Sequence, residues 1–489
     1  MKHWAIDSSA TAPAAGPRAP GGPGLRVFAP LALCVAAAVA IQSLWIPLDC
    51  DVSWLITVSE RVLAGDRLYV DIVEVNPPAS VWLYLPLVWA ARVIAVRPEA
   101  VVAAGFVAGA IASVLATLRL ASKLDPRHCN GWLATALGFV ALVLPMGLFA
   151  QREHAALLFA LPALAALAVI AQGRPLRSRT SIACGIAAGL VIAIKPPFAL
   201  AILAPAAWVI WKRRSARPLL SGIASAVAVV TTYAAAVMVF ASAYLDWVPV
   251  FAHSYFLMHS DAWRIVVGPL LFPAISLAIA VLVRPSRIPP LAVVLVLGSA
   301  GFALAAIIQM KNYYNHWLPG SALALLALFL MLAPGIATVR RGPAIASAAV
   351  LALAELGTFV IIPDARIEVA IRRVAPPAPT MIALSPQLAM GHPVTRNVGG
   401  RWVGSRPSLF TASAARLSPD DPIAARAYRD DIDSFAADVR RNAPDVILVD
   451  RRSARWLMAE PAVKRAMAAY RPAERVDYTE IWLPGHRAR

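Results

Sequence analysis

Charged side chains are scarce in this sequence: Asp, Glu, Lys and Arg make up 15% of its 489 residues, against roughly 25% in soluble globular domains. A chain that cannot clothe itself in charge does not belong to the ordinary soluble class. Cysteine is scarce too. The four present, Cys34, Cys50, Cys129 and Cys184, show no pair spacing, which indicates neither a disulfide framework nor a zinc site. A Gly-rich phosphate loop is missing where it would be diagnostic, because the strand-like run 444–450 ends in Asp450 with no Gly-rich turn behind it. The two halves of the chain share no duplicated pattern, which weighs against an inverted-repeat transporter.

What the sequence has is apolar surface, with hydrophobic residues at 60%. The formal charge of +18 suggests nucleic acid at first, but the Lys and Arg residues sit between apolar runs, so no nucleic-acid partner is expected. Residues 1–26, rich in Ala, Pro and Gly, read as a disordered cytoplasmic leader. Apolar runs follow at 27–45, 100–118, 132–149, 155–171, 182–194, 198–211, 219–243, 265–283, 291–308, 318–333 and 344–362. Basic loops carrying Arg119/Lys123/Arg127, Arg174/Arg177/Arg179, Lys212/Arg213/Arg214/Arg217, Arg284/Arg287 and Arg340/Arg341 are each separated by two runs. Under the positive-inside rule all of these loops are cytoplasmic, provided that segment 79–96 does not cross. That segment is therefore read as an interfacial helix, with Trp82, Tyr84 and Trp89 at headgroup level.

The expected architecture is an all-α polytopic membrane domain over 27–362, with eleven spans plus interfacial juxtamembrane helices and a first outer loop at 47–97. Residues 363–489 read as a small extracytoplasmic α/β domain, with strands at 380–384, 446–449 and 476–483 and a helix near 453–469. The N-terminus is expected on the cytoplasmic side of the membrane and the C-terminal domain on the outer face.

Four outer regions carry the unusual chemistry: 47–97, 151–154, 244–264 and 309–317, joined by Lys195-Pro196-Pro197. Within the first, residues 47–78 hold six acids, Asp49, Asp51, Glu60, Asp66, Asp71 and Glu74, against Arg61 and Arg67. Asp49 and Asp51 follow the first span directly. A carboxylate held there is partly desolvated, its pKa rises, and it suits a general base. The Asp-Cys-Asp tripeptide has the shape of a metal-binding Asp-x-Asp, so a divalent cation stays open as a minority option, with no ligand set assigned. The histidines of the third region, His253 and His259, stand six apart, which is no metal signature.

Asp51, the helix-patterned stretch 52–64, Gly65, Tyr69, Asp71, Glu74 and Pro77-Pro78 resemble the first periplasmic loop of the GT-C glycosyltransferases, the fold of the protein O-mannosyltransferases and of the lipid A aminoarabinose and galacturonic acid transferases of the cell envelope. Gln151-Arg152-Glu153 resembles the second outer loop of that family, with Glu153 where Asp is usual. Lys311, Tyr313, Tyr314, His316 and Pro319 resemble a later outer segment. The resemblance implies an integral membrane glycosyltransferase that moves a sugar from a polyprenyl-phosphate donor to a glycan, lipid or protein acceptor on the periplasmic face, usually with inversion. By position Asp51 matches the base of that family, and Glu74 matches less closely, because Asn76 stands where some lipid A transferases have a Lys; Asp49, next to Asp51, is a candidate to assist the base.

Since the leaving group is a lipid phosphate, cations belong near it. Lys195, Lys311, Arg152, His316 and Arg264 are the candidates at the outer ends of spans, and Glu153, Tyr69, Tyr313 and Tyr314 are candidates for contacting the acceptor. The other readings of the sequence are a polymerase or ligase of lipid-linked saccharides and a transporter or flippase. A transporter needs essential charge at mid-membrane, where only Glu355 stands.

Overall fold

The computed structural model describes residues 25–44, 48–125, 131–283, 285, 288–333, 336, 341–361 and 364–485. Most of the leader, and Pro47, Arg127, Cys129, Arg284, Arg287 and Arg340, lie outside the described residues.

The chain begins with α1 (Leu25–Leu44) and then lays down α2 (Cys50–Leu63), α3 (Ala79–Trp82) and α4 (Leu85–Val93) before α5 (Pro98–Leu124). Segment 79–96 is thus two short helices rather than one. After α6 (Gly131–Gly138) the helix widens into a π turn at Phe139–Val143 and ends in a 3-10 turn at Met146–Leu148, so the apolar run 132–149 is not a continuous α-helix. The reason is local: Pro145 cannot donate a helical hydrogen bond, and Met146 and Ala150 take left-handed backbone angles beyond it.

The bundle continues with α7 (Arg152–Ala171), α8 (Ser178–Ile194), α9 (Ala199–Arg213) and α10 (Leu220–Phe240). It goes on with α11 (Tyr244–Leu257), α12 (Ala262–Val283), α13 (Pro290–Ile308), α14 (Tyr314–Met331) and α15 (Arg341–Phe359). Among the described residues seven helices are long and apolar enough to cross a membrane, and the segments 79–93, 131–143 and 178–194 form shorter apolar helices. The peripheral members expose side chains such as Met238, Val239 and Phe240 of α10, a contiguous apolar surface that water would not tolerate but lipid does. The protein is a multi-pass membrane protein.

Helices α7 and α14 form the centre, with nearly every side chain buried. Around them, packing is close where side chains are small. A methyl group on Gly185 of α8 would come within 2.2 Å of the Gly222 carbonyl oxygen on α10. The Ser221 hydroxyl donates to that of Ser181 at 2.8 Å across the same seam, a pattern typical of helix pairs in lipid.

The C-terminal part starts with α16 (Arg366–Val374) and builds a sheet of β1 (Thr380–Leu384), β2 (Arg401–Trp402), β3 (Val446–Asp450), β4 (Tyr470–Val476) and β5 (Thr479–Pro484), in the spatial order β2-β1-β3-β5-β4. β1 pairs in parallel with β2 and β3, while β3-β5-β4 is antiparallel. The helices α17 (Val394–Asn397), α18 (Phe410–Ala415), α19 (Pro422–Asn442), α20 (Arg451–Leu457) and α21 (Pro461–Met467) connect or cover it. The helix expected near 453–469 is split in two, because Pro461 starts a new helix behind its N-cap Glu460. The strand expected at 476–483 is one arm of a hairpin that turns at Asp477 and Tyr478.

Candidate functional site

Four chain segments meet at one end of the bundle. The first is the start of α2. Asp49 caps it: its Oδ1 accepts from the Asp51 backbone N–H at 2.8 Å, as expected of an acid before a helix. This cap aims Asp51 from the first turn. The second is the start of α7, where Ala150 sits at φ 65° and delivers Gln151, Arg152 and Glu153 into the interior, all three almost fully buried. The third is Lys195. Pro196 disfavours helical angles in the residue before it, so Lys195 leaves α8 in extended form, with φ −156° and ψ 111°. The fourth is the first turn of α14, which supplies His316.

Arg152 stands between two carboxylates, with its Nη2 3.7 Å from Asp51 Oδ2 and its Nε 3.9 Å from Glu153 Oε2. Lys195 Nζ donates to Glu153 Oε1 at 3.0 Å and lies 3.1 Å from His316 Nε2. These long contacts leave capacity unused. Arg152 Nε, Glu153 Oε2, Gln151 Oε1 and His316 Nδ1 are buried with no hydrogen-bond partner. Orphaned buried polar atoms are costly and rare, and where they converge they mark a place built for something else to bind.

Burial first, and then the charge of Asp51, push the Asp49 carboxyl up to about 7. Asp51 is also raised by burial, with the Arg152 guanidinium pulling the other way. The pair therefore holds a proton more readily than free carboxylates, the condition for a base that works near neutral pH. Burial pushes the Lys195 ammonium down, opposed by Glu153.

Glu74 is 1% exposed and held on both oxygens: Oε1 accepts from the Asn76 backbone N–H at 2.8 Å and from the Asn76 amide, and Oε2 accepts from Trp54 Nε1. Burial raises its pKa and Arg152 lowers it. It lies within the field of the cluster, but its hydrogen bonds fix the 74–76 turn against α2. Tyr69 takes a left-handed angle in the same loop, and its hydroxyl donates to the Asn76 carbonyl at 2.5 Å. That phenol is already engaged.

Lys311 is 1% exposed and donates to the Met258 carbonyl oxygen, with the Tyr255 ring centroid 4.9 Å away and that of Phe410 at 5.9 Å. Burial lowers its pKa to about 8. Tyr313 places its ring edge-on to His316 at 5.6 Å, and Tyr314 packs on Trp317 at 4.9 Å with much of its surface exposed. Arg264 does not join the cluster. It pairs at 3.3 Å with Asp261, both side chains more than half exposed, and covers the Trp263 ring.

One residue missed in the sequence reading belongs here, and so does Tyr84, which was expected at headgroup level but is fully buried. Tyr255, inside a segment expected to be loop but folded as α11, has Arg152, Asp51 and Glu74 among the charges acting on it, and burial pushes its phenol up. Tyr84 donates to the Ala150 carbonyl at 2.6 Å and so braces the turn before α7. The apolar helical spacing of 244–257 is the signal that would have placed Tyr255. The two loop histidines separate, His253 lying 3.3 Å from Asp421 and His259 Nδ1 3.0 Å from the Phe256 carbonyl oxygen.

Asp49, Cys50 and Asp51 offer one ligand atom each within 4.8 Å of one another. The set fits a hard divalent cation poorly. Burial holds the Cys50 thiol well above its usual pKa, hence protonated, Asp49 Oδ1 is committed to capping α2, and the position opposite Asp51 is taken by the Arg152 guanidinium.

The C-terminal part closes over the other end of α2. Arg396 binds Glu60 through both carboxylate oxygens at 2.5 and 3.1 Å and Glu99 at 2.7 Å. Arg61 Nη1 donates to the Gly404 carbonyl at 2.6 Å, and the Val73 backbone N–H donates to that of Ser405 at 2.8 Å. His392 lies between Trp54 and Trp402, at 5.1 and 4.6 Å between ring centroids. The polar stretch 391–407 thus packs against the loop between α2 and α3.

No protein-family model matches the chain, and no curated protein matches it. Solved structures do. ArnT from Cupriavidus metallidurans bound to undecaprenyl phosphate superposes with a TM-score of 0.57 at 13% identity, over 93% of this chain and 97% of ArnT. Its apo state gives 0.53 at 14% identity over the same shares. A looser likeness, with a TM-score of 0.42 at 14% identity over 90% of this chain and 71% of the other, is to the oligosaccharyltransferase of Archaeoglobus fulgidus in complex with Zn and sulfate. The match to ArnT covers nearly the whole of both chains, and it gives this chain the GT-C fold expected from its sequence.

Proposed function

We infer that the protein is a glycosyltransferase that moves a sugar from a polyprenyl-phosphate-linked donor to an acceptor, with inversion, on the periplasmic face of a bacterial inner membrane. The observation that carries this reading is the buried cluster of Asp51, Arg152, Glu153, Lys195 and His316, with its unpartnered polar atoms, in a fold shared with a protein solved with undecaprenyl phosphate bound. In this reading residues 27–362 form the membrane catalytic unit, and 363–489 form the periplasmic domain that covers it.

Asp51 takes the proton of the acceptor hydroxyl or amine as that atom attacks the anomeric carbon. The glycosidic C–O bond breaks on the opposite side, and its electron pair leaves on the lipid phosphate. Arg152 and Lys195 neutralise the charge gained there, which a low-dielectric site makes effective. Glu153 and His316 position Lys195, so Glu153 serves the donor side rather than the acceptor. Lys311, with its ammonium turned to the Met258 carbonyl, is a peripheral cation. Tyr313 and Tyr255 line the acceptor approach.

The test is release of polyprenyl phosphate from a panel of synthetic polyprenyl-phosphate sugars by purified protein, with a crude lipid and glycan extract as acceptor. Release that depends on the extract and disappears in Asp51→Asn supports the reaction class and the base together. No release from any donor by intact, monodisperse protein sinks the reading.

A further inference from the structure

The groove with the richest chemistry outside the cluster runs along the bundle between α5, α7 and α8, from Leu83, Leu87 and Ala155 near the start of α7 to Arg119 and Arg177 at the far end, and has a volume of about 890 Å³, within the range roughly 300–1,000 Å³ of ligand sites. Its wall on α5 is made of small residues. Gly105, Gly109, Ala112 and Ala116 recur at helical spacing on one face, so that α5 presents backbone where a neighbouring helix would meet side chains. Space stands open above Gly109, where a methyl group would meet nothing within 4 Å, while the Leu87 side chain covers Gly105.

One end of the groove is apolar, with Phe106 lying beside His154 at the start of α7 at 5.6 Å between centroids. The other end is cationic. Arg119 and Lys123 from the last turns of α5 and Arg177 and Arg179 from the start of α8 converge on its mouth. Among the described residues none of the four is in an ion pair. The positive-inside trend explains why basic residues lie at this end; it does not explain why four from two helices rim one concavity open to the acyl region.

We propose that this groove is a binding site for an anionic phospholipid, whose phosphate is held by Arg119, Lys123, Arg177 and Arg179 while an acyl chain lies along the small-residue face of α5. Basic pockets between transmembrane helices recognise lipid phosphates in this way. Arg152 and the cationic mouth stand at opposite ends of the 20-residue α7, roughly 30 Å apart at 1.5 Å per residue. The phosphate would therefore sit in the other leaflet from the Asp51 cluster, so the headgroup site is separate from that of a sugar donor and holds whether or not the glycosyltransferase reading does.

The experiment is native mass spectrometry of delipidated full-length protein titrated with phosphatidylglycerol or phosphatidylcholine of identical chains. Wild type retains phosphatidylglycerol preferentially. The triple variant Arg119→Gln/Arg177→Gln/Arg179→Gln loses that preference, weakening retention on the order of tenfold or more. Gly109→Leu, which fills the open space without touching a charge, lowers retention of both lipids. Equal retention of the two lipids by wild type overturns the proposal, as does a triple variant that still prefers phosphatidylglycerol. Displacement of the bound phosphatidylglycerol by a polyprenyl phosphate also overturns it, by assigning the groove to the donor. If Gly109→Leu does not yield monodisperse protein, the charge variant decides alone.

Discussion

Helix α2 carries two clusters of the same chemistry, carboxylates against an arginine, and they are finished differently. At its C-terminal end Arg396 is saturated, with Glu60, Glu99 and Thr57 all within 3.3 Å. At its N-terminal end Arg152 touches Asp51 and Glu153 no closer than 3.7 Å and leaves its Nε without a partner. A buried ion pair adds to stability only when its hydrogen-bonding capacity is filled. The filled cluster reads as a clamp between the membrane bundle and the C-terminal sheet. The unfilled one reads as a place kept open for a ligand that completes it.

Substitutions sharpen that contrast in order of effect. Asp51→Asn lowers sugar transfer by about a hundredfold to ten-thousandfold, the range of a general base, with little change in melting temperature; a variant that keeps wild-type turnover would put the base elsewhere. Lys195→Ala lowers turnover by about a hundredfold and also destabilises the fold, because Glu153 loses its hydrogen-bonded cation. Lys195→Arg should recover the stability and only part of the rate. Arg396→Ala does the reverse: it costs about 2 kcal/mol in unfolding, below the full price of a buried pair because Glu60 is 40% exposed, while the turnover of protein that remains folded changes little. Equal losses of rate from Arg396→Ala and Asp51→Asn would erase the distinction between the clusters.

Two smaller effects concern pH. With Asp49 pushed up to about 7 beside Asp51, the pair gains a proton as pH falls through that value, so turnover declines on the acid side. Asp49→Asn keeps the helix cap, since Asn caps as well as Asp, and removes a like charge from Asp51. The acid limb then moves to lower pH, which a rate profile between about pH 5 and 9 reads directly. Lys311, lowered to about 8, loses its charge above that pH, so a shallow alkaline decline in wild type should flatten in Lys311→Met; an unchanged alkaline limb removes Lys311 from the reaction.

Much of the site was legible because its residues break a rule that sequence makes visible. Arg152, Lys195 and Lys311 are cations at the ends of apolar runs opposite the basic loops, and Asp51 follows the first run directly; each stands out against the positive-inside pattern of the sequence. Pro196 and Pro197 behind Lys195 mark a break between two apolar runs. Arg264 broke the same rule and yet stays at the surface with Asp261, since a long cationic side chain at a helix end can simply reach water. Tyr255 was invisible for the opposite reason: an aromatic in an apolar amphipathic stretch looks like packing, and only the position of α11 beside Lys311 and Arg152 gives it another meaning.

The sequence by itself determined the membrane class, the apolar segments, the strands β1 and β3 and the acidic loop after the first apolar run, because each depends on the composition or spacing of residues adjacent in the chain. Only the tertiary structure decided that residues 51, 152–153, 195 and 316 converge while Arg264 does not, that 391–407 clamps α2, and that α5, α7 and α8 leave a groove with a cationic mouth. Those outcomes follow from which helix ends meet when small residues let some helices approach and larger ones hold others apart, a property of packed surfaces that no single stretch of sequence carries.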